Sequence, residues 1–385
     1  MHTPLRIVRH SLVLLLTALS LMACLIVGSC RPAAPTTATG DTLVFRHAHL
    51  LTAQRTDSFT RVDIADPWHE GATAATYILV PRHAPLPHNL PSGIVLRTPL
   101  ARVVAYSAVH AALADELGVL SQVSGVCDVD YITSPSLRAA IQAGQLADYG
   151  SSMQPAVEQL MANKVDALLI SPFRDQVPGP AEQIGIPVIA CADYMEATPL
   201  GRAEWMRFYG MLWGMEQRAD SLFADVERTY TNLRTQAAQA ATRPTLMVDL
   251  RTGPVWYVAG GRSTMGTLYA DAALEYLYRD DVHSGSVALN FEQVFARCSQ
   301  ADFWLVKYGR ATDYTYATLA QDDSRYTRFR PWREHHVVGC NTLSSPFYEE
   351  TPFHPERLLD EVIQTFHEDL RSPTFAPKYL KPLQP

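Results

Sequence analysis

Two glutamates stand at the head of matching segments. Glu158 opens a helical run that leads to Asp166 and the apolar Ala167-Leu-Leu-Ile170, and Glu292 opens another that leads to Asp302 and Phe303-Trp-Leu-Val306. A carboxylate in the first helical turn is favoured by the helix dipole whatever its other role. One such acid in each half of the chain would also give a two-point ionic dock, suited to fast and reversible association with a basic partner. A second set of residues sits where short apolar strands give way to loops: Tyr106, His110, Tyr149, Phe173, Arg174 and Tyr194, then Trp256, Tyr257, Arg262, Lys307 and Tyr308. Aromatic walls with a few placed donors suit a flat, partly apolar ligand. Arg262 and Lys307 would meet its carboxylates or catecholate oxygens. Core packing is an equally good use for each aromatic, and it is the expected one for Trp205 and Trp213 on the apolar side of a helix.

The elements that must position these residues alternate. After a β-rich lead-in over 42–98, a unit over 99–214 repeats short strand, loop and helix: Val103-Val-Ala-Tyr106, Val123-Ser-Gly-Val126, Ala167-Leu-Leu-Ile170 and Pro187-Val-Ile189. Its strand-end loops are 107–110, Cys127-Asp128, Tyr149-Gly-Ser-Ser152, 171–174 and Asp193-Tyr194, the places where open α/β sheets bind ligands. A long amphipathic helix is predicted over 215–241, with Ala219, Phe223, Val226, Tyr230 and Leu233 on one side. The alternation restarts over 242–372, including a helix predicted from Thr264 to Tyr278, and a tail occupies 373–385. The fold class expected is α/β, as two Rossmann-like lobes joined by one long interlobe helix.

Arg6 and Arg9 precede an apolar run from Leu12 to Val27, the pattern of a secretory signal. With 47% hydrophobic and 18% charged residues the remainder reads as globular. A formal charge of −7 and the absence of any Lys/Arg-rich stripe argue against a nucleic-acid partner. Beyond the leader, Cys127, Cys191, Cys298 and Cys340 are widely spaced with no C-x-x-C pair; a disulfide is allowed, but buried free thiols fit better. No Gly-x-Ser-x-Gly elbow, P-loop or His-Glu-x-x-His helix occurs, so no catalytic chemistry is expected.

Val27-Gly28-Ser29-Cys30 resembles the lipobox of bacterial lipoproteins, which implies acylation of Cys30 and a flexible tether over 31–41; Leu21-Met22-Ala23-Cys24 is the weaker alternative, at Cys24. From Arg102 to Leu370 the chain resembles the periplasmic iron-siderophore and cobalamin binding proteins. The opening Arg102-Val-Val-Ala-Tyr-Ser107 with Leu117-Gly118 and Val123-Ser-Gly-Val126, the stretch Pro155 to Ile170, and its second copy Asn290 to Leu305 carry the likeness. Val165 departs from the usual proline. Pro199-Leu-Gly-Arg-Ala-Glu-Trp205 resembles a local signature of a Bacteroidetes branch. The resemblance implies a class III binding protein with a helical backbone, anchored by lipid in the periplasm and monomeric. It implies that Glu158 and Glu292 pair with arginines on the two permease subunits of an ABC importer. The ligand would be a ferric siderophore, haem or cobalamin in the interlobe cleft, with no metal or cofactor of the protein's own. Two other readings are weaker. A zinc-importer binding protein would gather His110, His283, His335 and His336, but no His-rich acidic loop is present. A nitrogenase-like metallocluster enzyme would need a cysteine run that is absent.

Overall fold

A computed structural model describes residues 40–174, 179 and 183–385. The expected leader, Cys24, Cys30 and the expected tether up to residue 39 lie outside the described residues.

The lead-in folds as a five-stranded sheet of β1 (Asp41–Leu43), β2 (Leu51–Arg55), β3 (Thr60–Ala65), β4 (Thr73–Pro81) and β5 (Ile94–Thr98), in that order. Its pairings are antiparallel except for parallel β4 and β5. Alternating residues such as Leu51, Ala53, Val62 and Ile64 are buried, so one face joins the core. The loop before β2 is clamped by two buried carboxylates. Glu204 accepts from the amides of Arg46, His47 and Ala48, and Glu196 accepts from those of His49 and Leu50. The lead-in is thus an integral part of the first lobe.

The first lobe runs through β6 (Val103–Ala105), α1 (Ala108–Glu116), β7 (Val123–Val126), α2 (Pro135–Gln142) and β8 (Ala147–Asp148). A small hairpin of β9 (Gly150–Ser151) and β10 (Gln154–Pro155) precedes α3 (Val157–Ala162), β11 (Ala167–Ile170) and β12 (Val188–Ala190). The sheet order is β12-β11-β6-β7-β8, parallel throughout. Next come α4 (Pro199–Trp213) and α5 (Glu216–Ala237). At about 1.5 Å per residue α5 is roughly 33 Å long, and it buries Ala219, Phe223, Val226 and Tyr230 along one stripe.

The second lobe contains β13 (Thr245–Val248), β14 (Arg251–Thr252), β15 (Val255–Ala259), α6 (Thr264–Asp271), β16 (Glu275–Tyr276), β17 (Ser286–Leu289) and α7 (Phe291–Cys298). It continues with β18 (Phe303–Tyr308), α8 (Tyr316–Asp322), α9 (Arg330–Arg333), β19 (Val337–Asn341), α10 (Phe347–Glu350), α11 (Pro355–Phe366) and β20 (Lys381–Pro382). Its main sheet is β16-β13-β18-β19-β20, parallel but for β20, and β14-β15-β17 form a separate antiparallel sheet.

Two expectations need correction. The helix expected over Thr264 to Tyr278 stops at Asp271, because Ala273 takes a left-handed φ of 57° and the chain turns into β16. The expected tail is docked, since β20 pairs with β19 and Tyr379, Leu380 and Leu383 are buried.

The two lobes share one device. Asp166, just before β11, accepts from the amides of Ala101 and Arg102 at the foot of neighbouring β6. Asp302, just before β18, accepts from the amide and hydroxyl of Thr245 at the foot of neighbouring β13. The aspartate that follows each helix therefore fastens two adjacent parallel strands at their starting ends.

Candidate ligand cavity between the lobes

The carboxyl ends of β6, β7 and β11 open into one cavity of about 490 Å³. Tyr106 and Ser107 reach it from β6, Cys127 and Asp128 from β7, and Ile170 and Ser171 from β11. Three adjacent parallel strands ending at one cavity is the geometry by which open α/β sheets present loops to a ligand. Ser152 and Met153 come from the turn between β9 and β10, and Tyr131 from the 3-10 turn after β7. The second lobe contributes Tyr348 and Glu349 from α10.

The wall is mostly apolar, and its rim is unsheathed. Tyr131, Met153, Phe173 and Tyr348 are 69%, 74%, 56% and 54% exposed, four large apolar side chains at a single mouth. Asp128 has a left-handed φ of 54°, donates its amide to the Gly150 carbonyl and accepts from the Ser152 amide at 3.2 Å. This fixes the turn that carries Met153. Burial pushes the Cys127 thiol up to about 12, and the carboxylates of Asp128 and Asp148 add to the shift.

Of the residues expected to bind ligand, Tyr106 and Phe173 line the cavity. Arg174 follows Phe173 and is exposed without lining it. Tyr194 stands behind the wall, its hydroxyl donating to the Pro172 carbonyl. Tyr149 is fully buried beneath, crossing Gly125, where a Cβ would come within 2.4 Å of its ring, and accepting from the Asn163 amide group.

His110 points the other way, into a buried polar knot. Its Nε2 lies 3.1 Å from Asp193 and 3.1 Å from the Tyr209 hydroxyl, and Arg202 closes on the second Asp193 oxygen. Burial works against a charged imidazole there, yet Cys191 and Asp193 together raise its pKa to about 10.

In the second lobe the structure does not bring the expected residues to the cavity. Trp256 is fully buried among Phe291, Trp304, Tyr326 and Phe329, with its indole N–H on the Val248 carbonyl. Tyr257, on the opposite face of β15, is half exposed and Arg262 is exposed. Lys307 is 3.8 Å from Asp249 in a separate, much smaller void, and Tyr308 packs edge-on against Tyr314. The four histidines are dispersed: His283 lies beside Asp281, His335 against Tyr316 and His336 against Phe303. Among the described residues no three His, Cys, Asp or Glu side chains come together as a metal site. All four described cysteines are free and buried.

Glu158 and Glu292 occupy the same position, second in α3 and second in α7, and both are exposed. Capping of α7 belongs to Asn290 and Gln293, which form a reciprocal capping box, so the Glu292 carboxylate is not consumed by it. Among the described residues, the cation within ion-pair distance of it is Arg325, at 3.8 Å, whose guanidinium is already bonded to Asp323.

Among the described residues no helix is long and apolar enough to cross a membrane. The chain is 24% identical to an uncharacterized lipoprotein of Methanocaldococcus jannaschii over 61% of its own length and 58% of that protein's. A periplasmic haem binding protein from Pseudomonas aeruginosa superposes with a TM-score of 0.57 at 18% identity, covering 74% of this chain and 98% of that one. A protein of an ABC-type Fe3+-hydroxamate transport system from Saccharomonospora viridis superposes with a TM-score of 0.55 at 19% identity, covering 70% and 93%. These establish the class III α/β fold. The model of the periplasmic binding protein family matches residues 103–341, more than half of the chain, and this protein belongs to that family.

Proposed function

We propose that the protein is the substrate-binding lipoprotein of an ABC importer, acylated at Cys30, monomeric and held at a membrane in the periplasm. Its cargo is an iron chelate (ferric siderophore or haem) or a corrinoid, which it delivers to a permease dimer coupled to ATPase subunits. The observation that carries this reading is the interlobe cavity. A volume of about 490 Å³ falls in the range of small-molecule sites, and large exposed apolar side chains gathered at one mouth mark a surface that a ligand covers. The haem and Fe3+-hydroxamate assignments carried by two solved relatives agree in chemical class. Glu158 and Glu292, exposed at equivalent helix positions, support a two-point dock.

Calorimetric titration of residues 41–385 with haem, cobinamide, cobalamin, several ferric siderophores and zinc tests the cargo. One chelate is expected to bind with 1:1 stoichiometry, and binding of zinc alone would overturn the reading. The double variant Glu158→Arg/Glu292→Arg is expected to keep ligand affinity and lose uptake in cells; undiminished uptake removes the docking role.

A further inference from the structure

The wall of the cavity carries a charge of one sign. Asp128 and Glu349 line it, and no lysine or arginine does among the described residues. Of the basic residues that flank lining residues in sequence, Arg138 is exposed and donates to the Ile132 carbonyl, and Arg174 is exposed and does not line the cavity. The stretch 175–183 contains no lysine or arginine. The two basic residues of the second lobe expected to meet an anionic ligand are away from the cavity, Lys307 beside Asp249 and Arg262 in solvent. Inside a partly dry pocket such an unbalanced wall acts more strongly than at an open surface, because the effective dielectric falls.

Resting on the reading above, we infer that this cavity selects its ligand by charge: it takes a neutral or cationic chelate with a broad apolar face and turns away polyanionic ones. Tyr106, Tyr131, Phe173 and Tyr348 supply the apolar contact, which is indifferent to charge, and Asp128 and Glu349 supply the discrimination. The raised Cys127 thiol, to which Asp128 and Asp148 both contribute after burial, reports the same negative field within the wall.

Pairs that differ chiefly in charge test this by calorimetry: ferrioxamine B against its N-succinyl derivative, dicyanocobinamide against a monocarboxylate derivative, and haem with both propionates amidated against haem. Within whichever pair binds, the neutral or cationic member is expected to bind about tenfold more tightly, the effect of roughly one carboxylate several ångströms from a unit charge. The gap should narrow as salt is raised. Asp128→Asn keeps an acceptor for Ser152 and tolerates the left-handed backbone, and is expected to narrow it too. Met153→Arg, at an exposed rim position, is expected to admit the anionic member. Equal or tighter binding of the anionic member by the wild-type protein overturns the inference and leaves the importer reading standing. Failure of all three pairs and of every other chelate titrated above to bind overturns both.

Discussion

Glu349 of the second lobe closes on Thr133 of the first. The Thr133 amide and hydroxyl both donate to its carboxylate, at 2.5 Å and 3.0 Å, and the Ser134 amide adds a third donor at 3.2 Å. Glu349 is only 5% exposed, so these bonds replace its hydration and tie α10 to the start of α2 across the cavity mouth. Glu349→Gln keeps the volume and loses the charge. Bonds to a charged group contribute about 1.5–3 kcal/mol, so a loss within that range is expected in urea unfolding. Faster hydrogen exchange at the Thr133 and Ser134 amides should accompany it; unchanged exchange there would show that the lobes are held elsewhere.

His354 forms a second tie between the lobes. Its Nε2 is 2.6 Å from Glu116 at the end of α1, its Nδ1 is 2.8 Å from Glu356, and Arg357 approaches Glu116 at 3.5 Å. Both ring nitrogens face carboxylates, so the imidazolium is the favoured form. Burial alone would lower the His354 pKa, but the two carboxylates raise it above the ordinary 6.5. Burial would likewise raise Glu116, but His354 and Arg357 bring it below 4.5. A raised histidine contributes stability that is fully present below its unfolded pKa and is lost as pH rises through the folded value. A depressed carboxyl contributes stability that is present above its unfolded pKa and is lost as pH falls through the folded value. The difference in urea midpoint between wild type and His354→Gln should therefore be greatest between about pH 5 and 6.5 and shrink on either side. A difference that is flat from about pH 4 to 10 would remove the ion pair from the account.

Much of the architecture was legible because it is periodic. The run of a helix to an aspartate and then an apolar strand appears twice in the sequence, and the structure supplies the reason in Asp166 and Asp302, which fasten neighbouring strands. The strand-end loops were legible on the same ground, and Ser107, Cys127, Asp128, Ser152 and Ser171 do meet at the cavity. Which side chain faces it was not. Trp256 and Tyr257 are consecutive on β15, so one had to point inward and the other outward, but nothing local said which. His110 lies one residue after Val109, which lines the cavity, and the turn of α1 carries it into the core. Tyr131 and Met153 sit on short turns and Tyr348 on the four-residue α10, all too short to show a periodicity. Glu349 reaches its partners across 216 positions of sequence, a distance only tertiary packing closes.

The Asp302 anchor carries its own pH signature. Burial alone would raise its carboxyl, but the Thr245 hydroxyl and amide and the Arg330 guanidinium bring it below 3.8. A depressed carboxyl stabilises the fold above its unfolded pKa, and that contribution vanishes as pH falls through the folded value. Asp302→Asn is expected to be less stable than wild type at pH 7, with the difference closing at pH below about 4. Thermal unfolding at stepped pH checks this, and a difference that survives full protonation would assign the effect to packing.

The lead-in sheet makes the last case. The Tyr77 hydroxyl donates to the Val188 carbonyl at 3.0 Å and accepts from the Ala190 amide at 2.8 Å. Those groups belong to β12, the edge of the first lobe's parallel sheet, where an unpaired strand is both a stability cost and a template for aggregation. One side chain thus finishes a sheet edge that a further strand would otherwise have to cover. Tyr77→Phe leaves the ring in the core and removes only the hydroxyl, so both backbone groups lose this partner. The expected cost is about 1–3 kcal/mol in urea unfolding, with hydrogen exchange accelerated at Ala190 ahead of the sheet interior. If Tyr77→Phe unfolds at the wild-type midpoint with Ala190 still protected, the edge is closed by something other than this hydroxyl, and the lead-in reverts to an attachment on a lobe that is complete without it.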